Sequence, residues 1–300
     1  MNILITGANG LLGQKLVWLL ESKPHFSTFA TGRGACRITL PEPQFQYQTL
    51  DITSAAATEA VFDEIKPDTV IHTAAMTHVD ECELHPLDCH LQNVEAVKNV
   101  IAACEKTGAH LIHLSTDFIF DGKDGPYKET DAPNPISIYG QSKLDAENLV
   151  MRASCPWTIV RTVLVYGIAP GLSRSNIILW VKSNLEQGKE IQVVDDQFRT
   201  PTLAEDLAEA CLLIAEKKAT GIFNISGKDF LTPYEMAIQT ADFFHLNKSL
   251  IKRADSSTFS QPAKRPPRTG FDISKAREIL GYQPRSFQEG IEILSRQIPS

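Results

Sequence analysis

An α/β fold with a doubly wound parallel sheet is predicted for this 300-residue chain by three features. Short apolar runs alternate with helix-length amphipathic segments through the first half, the pattern of βαβ units. The first run, NILIT, ends in a glycine turn, TGANGLLG, that opens a helix. The composition, 43% hydrophobic and 22% charged with no low-complexity run, supports a packed core along the whole length.

The elements follow in order. Asn2–Thr6 is strand-like, Leu11–Glu21 is a helix with Leu12, Leu16, Leu19 and Leu20 on one side, and Phe26–Thr31 and Tyr47–Leu50 are strands. Ala56–Ile65 is helical and stops before Pro67, and Thr69–Thr73 reads as a buried strand. Leu91–Lys106 is a long amphipathic helix ending at Gly108, followed by strand Ala109–Ser115, helix Ser137–Met151 and strand Trp157–Val163. That succession is half of a Rossmann fold. Beyond Tyr166 the alternation loosens into a helix at Asn176–Glu186, a strand at Ile191–Val193, a helix at Leu203–Glu216 and a strand at Ile222–Ile225. Thr232-Pro233 opens a further helix, Pro262–Pro267 is a proline-rich segment, and short helices are expected near Ser274–Leu280 and Phe287–Ser295. The expected division is a dinucleotide-binding domain over residues 1–165 and a smaller substrate-binding α/β part over 166–300, some of whose elements return to the sheet.

A formal charge of -7 argues against nucleic acid as partner, because that affinity comes from clustered Lys and Arg. The six cysteines lack C-x-x-C spacing and read as reduced, mostly buried thiols. His72, His78, His85 and His90 lie close together in sequence without the spacing or partners of a zinc motif, so no metal is expected. No apolar stretch approaches the ~20 residues of a membrane span. MNILITGANG has neither a basic n-region nor a cleavage site, so a cytoplasmic protein is expected.

Gly7, Gly10 and Gly13 stand between a strand and a helix. A side chain at Gly7 or Gly10 would come between backbone and pyrophosphate, and one at Gly13 would hold the helix off the sheet. The helix N-terminus adds N–H donors and a positive dipole. Asn9, Leu11 and Leu12 belong to the same turn. The second strand ends in Thr31-Gly32-Arg33, with no acid for a ribose 2′-hydroxyl. Arg33, with Arg37 as a second candidate, offers a guanidinium to a 2′-phosphate, so NADPH is favoured and NADH is the alternative. Asp51, followed by Ile52, either accepts from the adenine amino group or caps the next helix.

Tyr139 and Lys143 are i and i+4 on one helix face. An adjacent ammonium is expected to lower the phenol's pKa and make it a proton donor to a carbonyl. The preceding strand ends in Ser115-Thr116-Asp117-Phe118, with its hydroxyls at the carboxyl end, where ligands bind in such sheets.

STDFIFDG, GPYKETDAPNPISIYGQSKLDAE and VDDQFRTPTLAEDLAEA together resemble the dTDP-4-dehydrorhamnose reductase branch of the extended short-chain dehydrogenase/reductases, and the likeness runs from Met1 to about Gly281. The resemblance implies that Thr116 polarises the substrate carbonyl, Tyr139 is the acid, and Lys143 is its partner and grips the nicotinamide ribose. It implies that Ala74 and Ala75 line the cofactor, and that Asp117, Phe118 and the Gln197–Pro201 segment with Arg199 face a sugar nucleotide. Arg265 and Arg268 are weaker candidates for the pocket wall. It also implies a possible homodimer. Phe118 and Leu164 stand where that branch carries a tyrosine and a tryptophan, and Val79-Asp80-Glu81-Cys82-Glu83 departs from its usual V-D-K-A-E.

The expected function is NADPH-dependent reduction of a keto group on a nucleotide sugar. An epimerase or dehydratase of the same fold is the runner-up, although Thr116-Asp117 supplies only one carboxylate. A third reading, from another class, is a non-catalytic, NADP-binding regulatory subunit like the methionine adenosyltransferase β subunit, which also resembles this branch.

Overall fold

The structure is a computed structural model and describes residues 1–172 and 176–298. The chain opens with β1 (Asn2–Thr6), α1 (Leu11–Glu21), β2 (Ser27–Gly32), β3 (Gln46–Thr49), α2 (Ala55–Ile65) and β4 (Thr69–His72). Two short helices, α3 (Val79–Leu84) and α4 (Pro86–His90), and a π-helical turn at Leu91–Glu95 lead into α5 (Ala96–Thr107). Then come β5 (His110–Thr116), α6 (Ile138–Val150) and β6 (Trp157–Thr162). The rest comprises β7 (Val165–Tyr166), α7 (Ile177–Glu186), β8 (Ile191–Val194), β9 (Thr202–Leu203), α8 (Ala204–Lys217), β10 (Gly221–Asn224), α9 (Pro233–Phe243), β11 (Ile251–Ala254) and α10 (Phe287–Ser295).

Seven strands form one sheet in the order β10-β6-β5-β4-β1-β2-β3. Every pairing in it is parallel, in line with the doubly wound expectation. Side chains alternate between two cores. Ile3, Ile5, Ile71 and Ile112 pack under Leu16 and Leu20 of α1 and Leu207 and Ile214 of α8. Leu4, Val70 and Leu111 pack under Phe62 of α2, Val97 and Val100 of α5 and Val150 of α6. Burial on both faces explains why β1, β4 and β5 read as unbroken apolar runs. Strand order reverses at β1, which lies between β2 and β4, and the crevice outside the carboxyl ends of β1 and β4 is where such sheets take ligands.

Element boundaries fall within a residue or two of those expected, with three differences. The helix expected from Leu91 starts as a π-helical turn, and α3 and α4 precede it, broken at His85-Pro86. β11 pairs parallel with β8 in a separate two-stranded sheet, although its sequence IKRA carries no strand signal. β7 and β9 pair over two residues each, too short to show a period. Among the described residues no helix is long and apolar enough to cross a membrane.

Candidate active site

The glycine turn is shaped first by its own backbone. Gly7 has φ +73°, and a Cβ there would lie 2.6 Å from the Ala74 backbone nitrogen. Gly7 is therefore glycine because β1's turn touches the loop after β4, a local reason beyond any ligand. A Cβ on Gly13 would meet the Gly7 carbonyl oxygen at 2.5 Å and Ala8 Cα at 2.6 Å, so the tight contact there is between helix and turn. Gly10 is the N-cap of α1 and provides no side-chain cap, and no acidic residue occupies the first turn. The N–H groups of Leu11, Leu12 and Gly13 thus have no acceptor within the helix, which fits an anionic group.

Asn9 spends its side chain on the protein. Its Nδ2 donates to Arg33 O at 3.2 Å, Ala35 O at 3.0 Å and Tyr47 Oη at 2.9 Å, and its Oδ1 accepts from Arg37 N at 2.9 Å. The two arginines of this loop diverge. Among the described residues Arg33 donates to the neutral Gln92 side chain, at 3.3 Å, whereas Arg37 Nη1 is held on Gly171 O at 2.9 Å. Asp51 does not cap α2; Ser54 does, accepting from Ala57 N. Asp51 Oδ1 instead accepts from Thr53 N at 3.0 Å and Thr53 Oγ1 at 2.8 Å, and these bonds, with a smaller contribution from Arg33, hold its pKa below the usual carboxylate value. Ile52 lies beside it and gives its carbonyl to Asn99.

Thr116, Asp117, Phe118 and Tyr139 converge at the carboxyl end of β5. Ser137 caps α6 on Gly140 N at 3.1 Å. At Gly140 an added Cβ would stand 2.2 Å from the Phe118 carbonyl oxygen, so glycine lets α6 approach this turn. The Phe118 ring meets Tyr139 edge-on at 5.7 Å. Tyr139 is 8% exposed, and the Thr116 hydroxyl, which donates to Asp117 Oδ1 at 3.1 Å, favours its phenolate. The expected lowering of the Tyr139 pKa is not what the packing produces. Burial raises it well above the usual value, Thr116 opposes that, and Asp117, Cys82 and Cys89 add to it. Lys143 Nζ turns to Leu114 O at 2.6 Å and His113 Nε2 at 3.4 Å.

Lys143 is itself buried, and burial lowers its pKa from 10.5 to about 8 against the raising influence of Glu147. Behind it His113 stacks on His72 at 5.4 Å, and His72 Nδ1 pairs with Thr6 Oγ1 at 2.7 Å. Burial keeps both imidazoles neutral, with His72 lowered to about 3.

On the substrate side Asp117 is buried, and burial raises its pKa against the opposing charge of Arg199. Its carboxylate accepts from Thr116 Oγ1 at 3.1 Å and from Thr269 Oγ1. Arg199, 6% exposed, donates to Phe198 O, Pro267 O and Pro266 O, so it anchors the proline-rich segment beside Asp117. Arg265 is not part of a solvated basic stretch: it forms a two-point pair with Asp80 at 2.9 and 2.7 Å. Arg268 lies over Phe198 at 4.6 Å and Phe230 at 5.1 Å. Leu164 is 44% exposed and has φ +38°.

Residues that sequence reasoning passed over also shape the site. Asn93, in the π-helical turn, donates to Met76 O and Ser142 Oγ, both at 3.0 Å, and accepts from Met76 N at 2.8 Å. Ser142 in turn donates to Tyr139 O at 2.8 Å, so Asn93 ties the loop after β4 to the tyrosine helix. An asparagine inside an apolar helical run was the available signal. Among the described residues no group of His, Cys, Asp and Glu could hold a metal.

The parallel sheet, the glycine turn at its switch point and the Tyr139–Lys143 helix define the class as an extended short-chain dehydrogenase/reductase. The chain matches the RmlD substrate binding domain family over residues 1–298 and belongs to that family. It is 34% identical over 294 residues to methionine adenosyltransferase 2 subunit beta of Xenopus tropicalis, covering 96% of this chain and 85% of that protein. It is 30% identical over 303 residues to dTDP-4-dehydrorhamnose reductase of Aggregatibacter actinomycetemcomitans, covering 97% of each. The crystal structure of dTDP-4-dehydrorhamnose reductase from Bacillus anthracis in complex with NADP superposes with a TM-score of 0.84 at 27% identity, covering 99% of both chains.

Proposed function

We propose that this protein reduces a keto group on a nucleotide sugar with NADPH. The observation that carries this reading is a buried tyrosine, packed edge-on against Phe118, at the carboxyl end of β5 where Thr116 ends the strand, in a dinucleotide-type sheet. The first-turn N–H groups of α1 with Gly7, Gly10 and Gly13 would hold the pyrophosphate, Arg33 the 2′-phosphate, Asp51 and Ile52 the adenosine end, and Ala74, Ala75 and Lys143 the nicotinamide end. When bound, NADPH supplies the hydride.

Tyr139 stays protonated at neutral pH because burial raises its pKa, so it has a proton to give to the carbonyl oxygen as charge develops there. Thr116 orients that oxygen with a second hydroxyl. Lys143, its Nζ turned to Leu114 O, would serve the nicotinamide ribose rather than the phenol. Asp117, Phe118 and the segment anchored by Arg199 would form the sugar side. Residues 1–165 would then form the cofactor domain, with Thr116–Phe118 and Tyr139 facing the sugar, and 166–300 the substrate-binding part, from which β10 returns to the sheet. A homodimer in a reducing cytoplasm, where six free cysteines are at home, completes the proposal.

A second reading is a regulatory subunit that holds NADP without turning over. The 34% identity to the methionine adenosyltransferase subunit and the phenylalanine at position 118 favour it. Oxidation of NADPH in the presence of 4-keto sugar nucleotides separates the two. The reductase reading expects turnover, and Tyr139→Phe to lower kcat by about 100- to 10,000-fold with Tm unchanged. Wild-type rates in Tyr139→Phe would remove the tyrosine from the mechanism. Absent turnover, together with stoichiometric co-purification of a second enzyme, would establish the subunit reading.

A further inference from the structure

The loop from Arg33 to Arg37 is exposed and has no regular structure, yet its backbone is held at nearly every residue by two side chains from elsewhere. Asn9, in the glycine turn, takes the carbonyls of Arg33 and Ala35 and the Arg37 N–H. Tyr47, in β3, directs its hydroxyl at the carbonyls of Gly32 at 3.1 Å and Gly34 at 2.9 Å, and accepts from Asn9 Nδ2 at 2.9 Å. Thr49, two residues further along β3, reaches Gly34 O at 3.3 Å. A Cβ on Gly32 would lie 3.2 Å from Tyr47 Oη and 3.3 Å from Asn9 Nδ2, a tight fit beneath these two side chains.

We infer that Asn9 and Tyr47 form a latch that selects NADPH over NADH by fixing the backbone that carries Arg33. This rests on the reading of Arg33 as the 2′-phosphate ligand. Tyr47 touches no reacting atom; it is a specificity-determining positioning residue. The physical reason is preorganisation. A guanidinium on a five-residue loop without regular hydrogen bonding loses backbone freedom each time it engages an anion, unless that freedom has been removed beforehand. Arg37, the second candidate, already donates through Nη1 to Gly171 O at 2.9 Å, a shorter bond than Arg33 makes. Among the described residues Arg33 donates to the Gln92 side chain, which is uncharged, so an arriving phosphate need not break an ion pair at that contact. Because NADH has no 2′-phosphate, loosening the loop affects the two dinucleotides unequally. A fault in the fold would affect them alike.

The test is the dissociation constant of each dinucleotide, measured by intrinsic-fluorescence or calorimetric titration of the full chain, without reference to turnover. Tyr47→Phe keeps the ring in β3 and removes the hydroxyl. It is expected to weaken NADPH on the order of tenfold, the equivalent of one hydrogen bond of about 1.4 kcal/mol, and NADH by less than about twofold. Thr49→Val, losing one bond to the same carbonyl, is expected to move NADPH in the same direction by a smaller factor. Arg33→Ala should abolish the preference. If wild type prefers NADPH and Tyr47→Phe keeps that preference, or weakens both dinucleotides equally, the latch is overturned while the cofactor reading stands. If wild type holds NADH as tightly as NADPH, the assignment of Arg33 falls, and the latch's selective role falls with it.

Discussion

Glu147→Gln removes one charge from an ion pair sealed inside the fold beneath Lys143. Arg161 Nε and Nη2 donate to Glu147 Oε1 at 3.0 Å and Oε2 at 2.7 Å, and the two side chains are 3% and 0% exposed. The guanidinium also donates to Glu129 O at 3.2 Å and lies over the Phe120 ring. Glutamine preserves the volume and one acceptor but leaves a buried cation with no counter-charge, a loss of about 3–5 kcal/mol. At roughly 2–4 °C per kcal/mol for a chain of this size, Tm should fall by on the order of 10 °C. The same carboxylate raises the Lys143 pKa, so the variant should also push Lys143 below its value of about 8. The sign follows from proton binding. The folded state disfavours the Lys143 proton and the unfolded chain keeps it up to about 10.5, so the penalty is full below the folded pKa and fades as pH rises. The Tm gap between wild type and variant should therefore be larger near pH 7 than near pH 10. Thermal unfolding followed by circular dichroism at both pH values reads this directly. Replacing both partners by apolar residues, Glu147→Leu with Arg161→Met, should recover most of the loss. A single variant within about 2 °C of wild type near pH 7 would refute the reasoning.

Two further outcomes are expected. Gly140→Ala puts a methyl 2.2 Å from the Phe118 carbonyl oxygen, so urea unfolding should show a loss of about 1–3 kcal/mol, and kcat should fall as α6 moves off the Thr116–Phe118 turn. Unchanged stability would mean that the turn yields freely. His72, lowered to about 3, His110, lowered to about 4, and His113, lowered well below its usual value, are held neutral by burial, whereas the unfolded chain protonates them near 6.5. Their contribution is complete above about pH 6.5 and drains as pH falls below it, by up to ~1.4 kcal/mol per pH unit for each. Denaturation midpoints that stay flat between about pH 7 and pH 5 would contradict this.

The first half of the fold was legible because its signals are local. Parallel strands covered on both faces are continuous apolar runs, and Gly108, Pro67 and Ser137 mark helix ends by chemistry that operates within a few residues. The glycine turn was legible as a turn, but the reason for Gly7 was not, because Ala74 lies 67 positions away in the chain. Arg265 stood only as a weaker candidate for the pocket wall, because its partner Asp80 lies 185 residues distant. Asn93 and His113 sat inside apolar segments with nothing nearby in sequence to indicate what they would touch.

The sequence by itself determined the long helices and the seven strands of the main sheet, their order, the turn that opens α1, and that Tyr139 and Lys143 share a helix face, since all of these depend on spacings of a few residues. The tertiary structure alone decided their electrostatics. It turned Lys143 toward Leu114 O and raised the Tyr139 pKa where an adjacent ammonium had been expected to lower it. The reason is that burial and long-range partners set a buried group's charge state, and neither exists until the strands have packed.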